Sequence, residues 1–179
     1  FEGEHVQMAS LPGMRERTVT INSTGKTFSL TGWKIGYATA PAELAGALAK
    51  AHQFVTFAVA TPFQHAMSVA LRATASYFDE LHAAYRERRD FLVAALEECG
   101  LGVRAPQGTY FVMADIRPLG FEDDVAFCKH LVEEIGVAAI PPTAFYERKE
   151  RGRVLVRFAF CKRMETLRAG VERLRRLRA

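Results

Sequence analysis

An α/β fold is predicted for this chain, and three features predict it. Runs of β-branched and aromatic residues alternate with alanine- and leucine-rich segments whose apolar residues recur at helical spacing. Glycine and proline stand at the junctions between them. Hydrophobic residues make up 49% of the sequence and charged residues 25%, a composition that can fill a core and argues against disorder. The 179 residues suffice for one domain, or for one complete small domain with part of another.

The elements follow in order. Residues 17–22 (Arg-Thr-Val-Thr-Ile-Asn) alternate and are β-branched, which predicts a strand. A loop rich in glycine and hydroxyls comes next, and residues 33–40 read as a second strand returning from it. Pro41 opens an alanine-rich helix in its first turn, where a missing N–H costs nothing. Thr61-Pro62 is a second start of that kind, with Thr61 as N-cap. From Ser76 to about Glu98, Phe78, Leu81, His82, Tyr85, Arg89, Leu92 and Leu96 trace one long amphipathic helix, which Gly100 ends. Beyond it, residues 108–116 predict a strand, 122–134 a helix and 137–140 a short strand. Pro141-Pro142 interrupts the chain; 153–161 predict a strong strand and 165–178 a closing helix. Two strands and two helices cannot cover both faces of a sheet, so residues 1–76 read as the end of a larger domain. Residues 77–179, the long linking helix and the α/β part after it, carry enough apolar side chains for a small core of their own.

Charge and cysteine usage exclude several classes. The net charge is +4, with its basic excess concentrated at 86–89 and 173–178. Both runs suit helices with arginine-rich polar faces; no aromatic-interleaved patch or reader motif accompanies them, so no nucleic-acid partner is expected. No apolar run approaches the ~20 residues of a membrane span, and no membrane partner is expected. The opening Phe-Glu-Gly-Glu-His lacks the basic and apolar regions of a signal peptide. Cys99, Cys128 and Cys161 are odd in number and far apart, which fits neither a disulfide framework nor a Cys-x-x-Cys zinc pattern. They read as free thiols in a reducing compartment, and a cytoplasmic location is expected. His52, His65, His82 and His130 have no metal-ligand spacing, so no metal site is expected, and Asp123-Asp124 reads as a helix-start charge pair.

Chemistry concentrates at residues 23–37, Ser-Thr-Gly-Lys-Thr-Phe-Ser-Leu-Thr-Gly-Trp-Lys-Ile-Gly-Tyr. Lys26 and Lys34 stand eight positions apart, with glycines and hydroxyls between them. One lysine can act as a nucleophilic amine where its surroundings lower its pKa, while the other stays a cation for an anionic group. Gly25-Lys26-Thr27 invites comparison with a phosphate-binding P-loop. That motif needs a glycine five positions before Gly25, where Thr20 stands, and a helix directly after the lysine, where a β-prone run follows. Two solvated loop lysines are the simpler alternative. Downstream, Arg157 sits in the middle of the apolar run Val-Leu-Val-Arg-Phe-Ala-Phe at 154–160. An unpaired buried guanidinium is costly, so it should meet an anion: an internal carboxylate or a ligand, unless an edge strand lets it reach solvent.

The whole 23–37 segment closely resembles the lysine segment of pyridoxal-phosphate-dependent aminotransferases of fold type I, in particular the kynurenine, glutamine and methionine aminotransferase group. The runs 11–18, 106–111, 136–141 and 154–160 extend the resemblance in order over almost the entire chain. The fold implied is that of aspartate aminotransferase, with the end of the large domain followed by the C-terminal small α/β domain. By that resemblance Lys26 carries pyridoxal 5'-phosphate as a Schiff base and moves the substrate α-proton, Ser23 hydrogen-bonds the cofactor phosphate, and Lys34 pairs with it. An arginine often stands where Lys34 does; lysine keeps the charge and loses the bidentate geometry. Arg157 would grip the substrate α-carboxylate. Gly108 would let the backbone lie close to the substrate, or is simply a turn glycine before a strand. Tyr110 would line the substrate site with Phe57 and Phe145-Tyr146. Phe57 is either an aromatic reaching into a partner subunit or a core residue.

The reaction implied transfers an amino group between an apolar, aromatic or sulfur-containing L-amino acid (methionine, kynurenine or glutamine type) and a 2-oxo acid, in a homodimer. No counterpart is found for the acidic residue that pairs with the pyridine nitrogen, the ring-stacking aromatic, the Asn and Tyr near the phenolic oxygen, or the glycine-rich phosphate turn. The sequence therefore reads as the C-terminal half of such an enzyme, inactive by itself. A pyridoxal-phosphate carbon–sulfur lyase shares Lys26 and Arg157, and a non-catalytic aminotransferase-like effector or dimerisation module is the alternative outside enzymes.

Overall fold

The computed structural model describes residues 1–178. It divides into two compact units: one of Gly3–Leu81, the other of Phe1–Glu2 with the chain from His82 onward.

In the unit of Gly3–Leu81, strands β1 (Thr20–Ser23) and β2 (Gly36–Thr39) pair antiparallel, with Ile21 opposite Ala38 and Ser23 opposite Gly36. Both are shorter than the sequence predicts. Arg15–Arg17 forms a 3₁₀ turn, closed by Arg17 N to Met14 O (3.2 Å) and the Thr18 hydroxyl to Met14 O (2.6 Å), so the first strand starts only at Thr20. Thr31–Trp33 forms another, and Lys34 follows in the left-handed region at φ +56°, which delays β2 to Gly36. The predicted loop between the strands contains a single helical turn, α1 (Thr24–Thr27). Helices α2 (Ala42–Val55) and α3 (Thr61–Ala70) follow. Pro41 caps α2 rather than occupying its first turn, and Ala60, not Thr61, caps α3. The Ala60 carbonyl accepts the first α3 bonds, from Phe63 N (3.1 Å) and Gln64 N (3.2 Å), and Thr61 makes no cap.

Helix α4 (Ala75–Glu98) is the long amphipathic helix expected, and Gly100 at φ +91° ends it. In the unit that runs on from His82, β3 (Gly102–Val103), β4 (Phe111–Asp115) and β5 (Leu155–Ala159) form an antiparallel sheet in that order. Val112 lies opposite Phe158, and Met113 opposite Arg157. Strand periodicity sends Val112, Ala114, Val156 and Phe158 into the core. There they pack with Leu92, Leu96 and Cys99, with Phe127 and Leu131, and with Leu167, Val171 and Leu174. Those last groups come from α4 and Cys99 just after it, from α5 (Asp124–His130) with the π turn Leu131–Ile135 continuing it, and from α6 (Met164–Leu174). The helix predicted at 122–134 is thus part α and part π, capped by the Asp123 carboxylate accepting from Ala126 N (2.9 Å) and ended by Gly136 at φ +78°. The predicted strand at 137–140 reduces to one bridge, Ile140 with Arg157. The closing helix ends at Leu174 and continues as a 3₁₀ turn, Arg175–Arg178.

Two of the cysteines, Cys99 and Cys128, are buried free thiols, and Cys161 is a half-buried one. Burial, with the Asp124 charge second, pushes the Cys128 thiol up to about 11, so it stays protonated and inert near neutrality.

Arg89 on α4 is 4% exposed. Its guanidinium donates to Glu2 (2.5 and 2.6 Å), Asp90 (2.8 Å) and the Pro106 carbonyl (3.0 Å), and it lies 4.5 Å from the Phe1 ring centre. The hydrogen bond from Arg89 holds the Glu2 carboxyl below the usual carboxylate range. Replacing Arg89 by methionine is expected to destabilise this unit by about 1.5–3 kcal/mol, the scale of losing hydrogen bonds to charged groups. A pKa lowered on folding contributes stability above the unfolded carboxylate pKa and loses it as the pH falls through the folded value. Urea melts on an acid pH series should therefore show a stability decline in the parent protein that is smaller in Arg89→Met.

Candidate active site

The β1–β2 connection is tied down at five residues. The Ser23 hydroxyl accepts from Gly25 N (3.2 Å) and so caps α1. Buried Thr24 donates its hydroxyl and its N–H to the Ile35 carbonyl (2.6 and 3.1 Å), which closes the base of the loop. The Thr31 hydroxyl donates to Gly25 O (3.1 Å), Tyr77 donates to Thr27 O (2.5 Å), and Trp33 stacks on Phe63 at 4.5 Å. Gly36 is required sterically: a Cβ there would meet Asn22 O at 2.6 Å. These ties hold Lys26, half-buried on α1, to the end of a two-stranded ribbon. Ser23 and Lys34 are exposed on the same connection. A hydroxyl that accepts from Gly25 still has its proton to donate to an anion. Phe57 is 80% exposed at φ +66°, so in this chain it is not a core aromatic. A cleft of about 520 Å³ in the same unit, lined by Arg15, Glu16, Asn22 and Tyr37 among others, includes none of these residues.

In the other unit, Arg157 stands mid-β5 and half-buried. Its backbone pairs with Ile140 (3.0 and 3.1 Å), and its guanidinium lies over the rings of Phe111 (4.9 Å) and Phe145 (5.3 Å). Among the described residues, no carboxylate lies within ion-pair distance of it. The internal partner that burial alone could require is therefore not found, and two π faces compensate part of the desolvation. Tyr110, just before β4, packs instead against the core: its carbonyl accepts from Phe160 N (2.9 Å) and its ring meets Phe111 edge-on at 5.4 Å. A Cβ at Gly108 would meet nothing within 4 Å, and the left-handed residue of this turn is Thr109, at φ +69°. The turn-glycine reading of Gly108 thus gains no support from backbone strain.

Thr24 and Phe111 were not singled out in the sequence, and Phe145 was named without its place over Arg157. Thr24 carries no signal beyond a hydroxyl beside the lysine turn. The approach of Phe111 and Phe145 to Arg157 could be half anticipated, because residue 111 shares strand parity with 113, the partner of 157.

Residues 2–174 match the aminotransferase class I and II family. The chain belongs to that family. It is 43% identical to methionine aminotransferase of Escherichia coli over 97% of its own length and 45% of the relative's. To kynurenine–oxoglutarate transaminase of Dictyostelium discoideum it is 40% identical, over 99% of this chain and 46% of the relative. Among solved structures, N-succinyldiaminopimelate aminotransferase from Mycobacterium tuberculosis superposes with a TM-score of 0.92 at 44% identity, over 99% of this chain and 46% of that one. The chain spans about half the length of the curated relatives it matches. Its α/β fold is the aspartate aminotransferase type that the sequence resembles.

Proposed function

We propose that the gene product carrying this chain is a pyridoxal-phosphate-dependent transaminase, with residues 1–76 closing its large domain and 77–179 forming its small one. The observation that carries the reading is the tied β1–β2 connection, which carries two lysines and a serine hydroxyl within twelve residues, Ser23 to Lys34. That donor set fits an aldehyde bearing a phosphate. Lys26 would hold the aldehyde carbon, and Ser23 and Lys34 the phosphate. When bound, the cofactor supplies an electron-withdrawing ring that stabilises negative charge at the substrate α-carbon.

The chain's own residues do the rest. Arg157 presents a planar fork to an α-carboxylate, which orients the substrate. Lys26 Nζ would accept the α-proton and return it, as the general base of the reaction. Lys34 stays cationic throughout and anchors by charge. The Phe111 and Phe145 rings beside Arg157 favour an apolar, aromatic or sulfur-containing side chain, in keeping with the methionine and kynurenine named in two relatives. A 2-oxo acid is the acceptor. A homodimer in the cytoplasm completes the reading, with exposed Phe57 contributing to the partner's site.

The direct test is to reduce the gene product with borohydride in the presence of pyridoxal phosphate and to map the peptides. The label is expected on Lys26; a label on another lysine, or on none, overturns the reading. The present chain alone is expected to turn over negligibly, because no residue in it is assigned to the pyridine nitrogen or to stacking on the ring. A sensitive assay with methionine and a 2-oxo acid checks this, and robust activity would contradict it.

A further inference from the structure

Asp124 is the one acidic residue that is buried among the described residues, at 1% exposure. A carboxylate is retained in such a place only if donors replace its lost water. Two backbone groups do so: Val125 N donates to Oδ1 (3.0 Å) and Thr143 N to Oδ2 (2.8 Å). The second bond spans 19 residues and fastens α5 to the 3₁₀ turn Pro142–Phe145. That turn starts two residues after Ile140, which pairs with Arg157, and it ends on Phe145, whose ring lies under the Arg157 guanidinium. Phe145 is 67% exposed, so burial does not hold it in place. Its position must be inherited from the turn.

We propose that Asp124 is a positioning residue for Arg157: its carboxylate fixes the 142–145 turn, and the turn sets the Phe145 ring against the guanidinium. A preorganised fork loses less freedom when it meets a planar anion. The inference deepens the proposed function, and rests on it only for the use to which Arg157 is put.

Solution NMR of the whole chain, observing the Arg157 Nε–H and the backbone amides, tests it. In the parent protein the Arg157 side-chain protons should be displaced upfield by the rings, and the Phe145 amide should be rigid. In Asp124→Ala the part of the displacement due to Phe145 should be lost, leaving that of Phe111, and the Phe145 order parameter should fall from about 0.85 to below about 0.6. The amides of Val112, Leu131 and Phe160 should keep their native shifts. Asp124→Asn, which keeps one accepting oxygen but sets an NH2 against the other backbone N–H, should recover only part of both signals. Thr143→Val should change neither, since the Thr143 hydroxyl is buried with no partner among the described residues and the bond uses the backbone. An unmoved Arg157 signal in Asp124→Ala, with the core native, overturns the proposal. Should that variant not fold, hydrogen exchange of the parent decides: a protected Thr143 amide is expected, and exchange at the rate of an exposed amide overturns it. Titration with acetate separates the two ideas. An ordered Arg157 that ignores acetate removes its carboxylate role in the proposed function, while the clasp stands or falls on the Asp124 variants.

Discussion

Lys26→Ala in the gene product carrying this chain is expected to lower kcat for transamination by at least about 10³-fold, because one atom is asked to do two jobs. Nζ would anchor the cofactor and shuttle the α-proton, and positioned proton transfer alone typically contributes about 10²–10⁴-fold. Lys26→Arg should fail equally, since a guanidinium stays protonated at any relevant pH and can neither condense with an aldehyde nor accept a proton. Neither change should unfold the protein. The five ties that shape the connection run through Ser23, Thr24, Thr27, Thr31 and Trp33, and none uses the lysine side chain. Stopped-flow turnover measured with a thermal melt separates the two effects. Small primary amines added to Lys26→Ala should restore part of the rate. Unchanged kcat in Lys26→Ala would remove the lysine from the chemistry.

The second large effect is expected at Arg157. Arg157→Ala should cost about 2–4 kcal/mol in kcat/KM, roughly 30- to 700-fold, as loss of one side of a desolvated, bidentate charge pair does. Most of it should appear in KM, because the carboxylate is held equally before and during proton transfer. Arg157→Lys should recover only a part: the charge remains, whereas the fork and its contact with the Phe111 and Phe145 rings are lost. Steady-state kinetics with methionine checks the split. A fall confined to kcat would assign Arg157 to the transition state instead of to substrate orientation.

Much of the architecture was legible because it depends on local pattern. The long helix at 75–98 declares itself through six turns of period and a terminal glycine, and β4 and β5 through runs of apolar, β-branched and aromatic residues. Failures fall where a few backbone bonds outweigh pattern. A β-branched stretch at 17–19 stays out of β1 because the Thr18 hydroxyl closes a turn onto Met14. Residues 24–27 form a helical turn too short to show any period. At 137–140 the apolar run has a neighbour only at Ile140, so it never becomes a strand.

The candidate site divides along the same line. Spacing and residue type alone established the lysine pair, the hydroxyls and glycines between them, and an arginine placed against the grain of an apolar strand. Whatever required two distant stretches to meet was decided by tertiary structure. The Thr24–Ile35 closure beneath Lys26, the rings beside Arg157 and the Asp124–Thr143 bond are of this kind. Local sequence fixes which face of a strand or helix a side chain takes. It carries no record of which partner stands opposite, because that follows from strand register and from the packing of elements far apart along the chain.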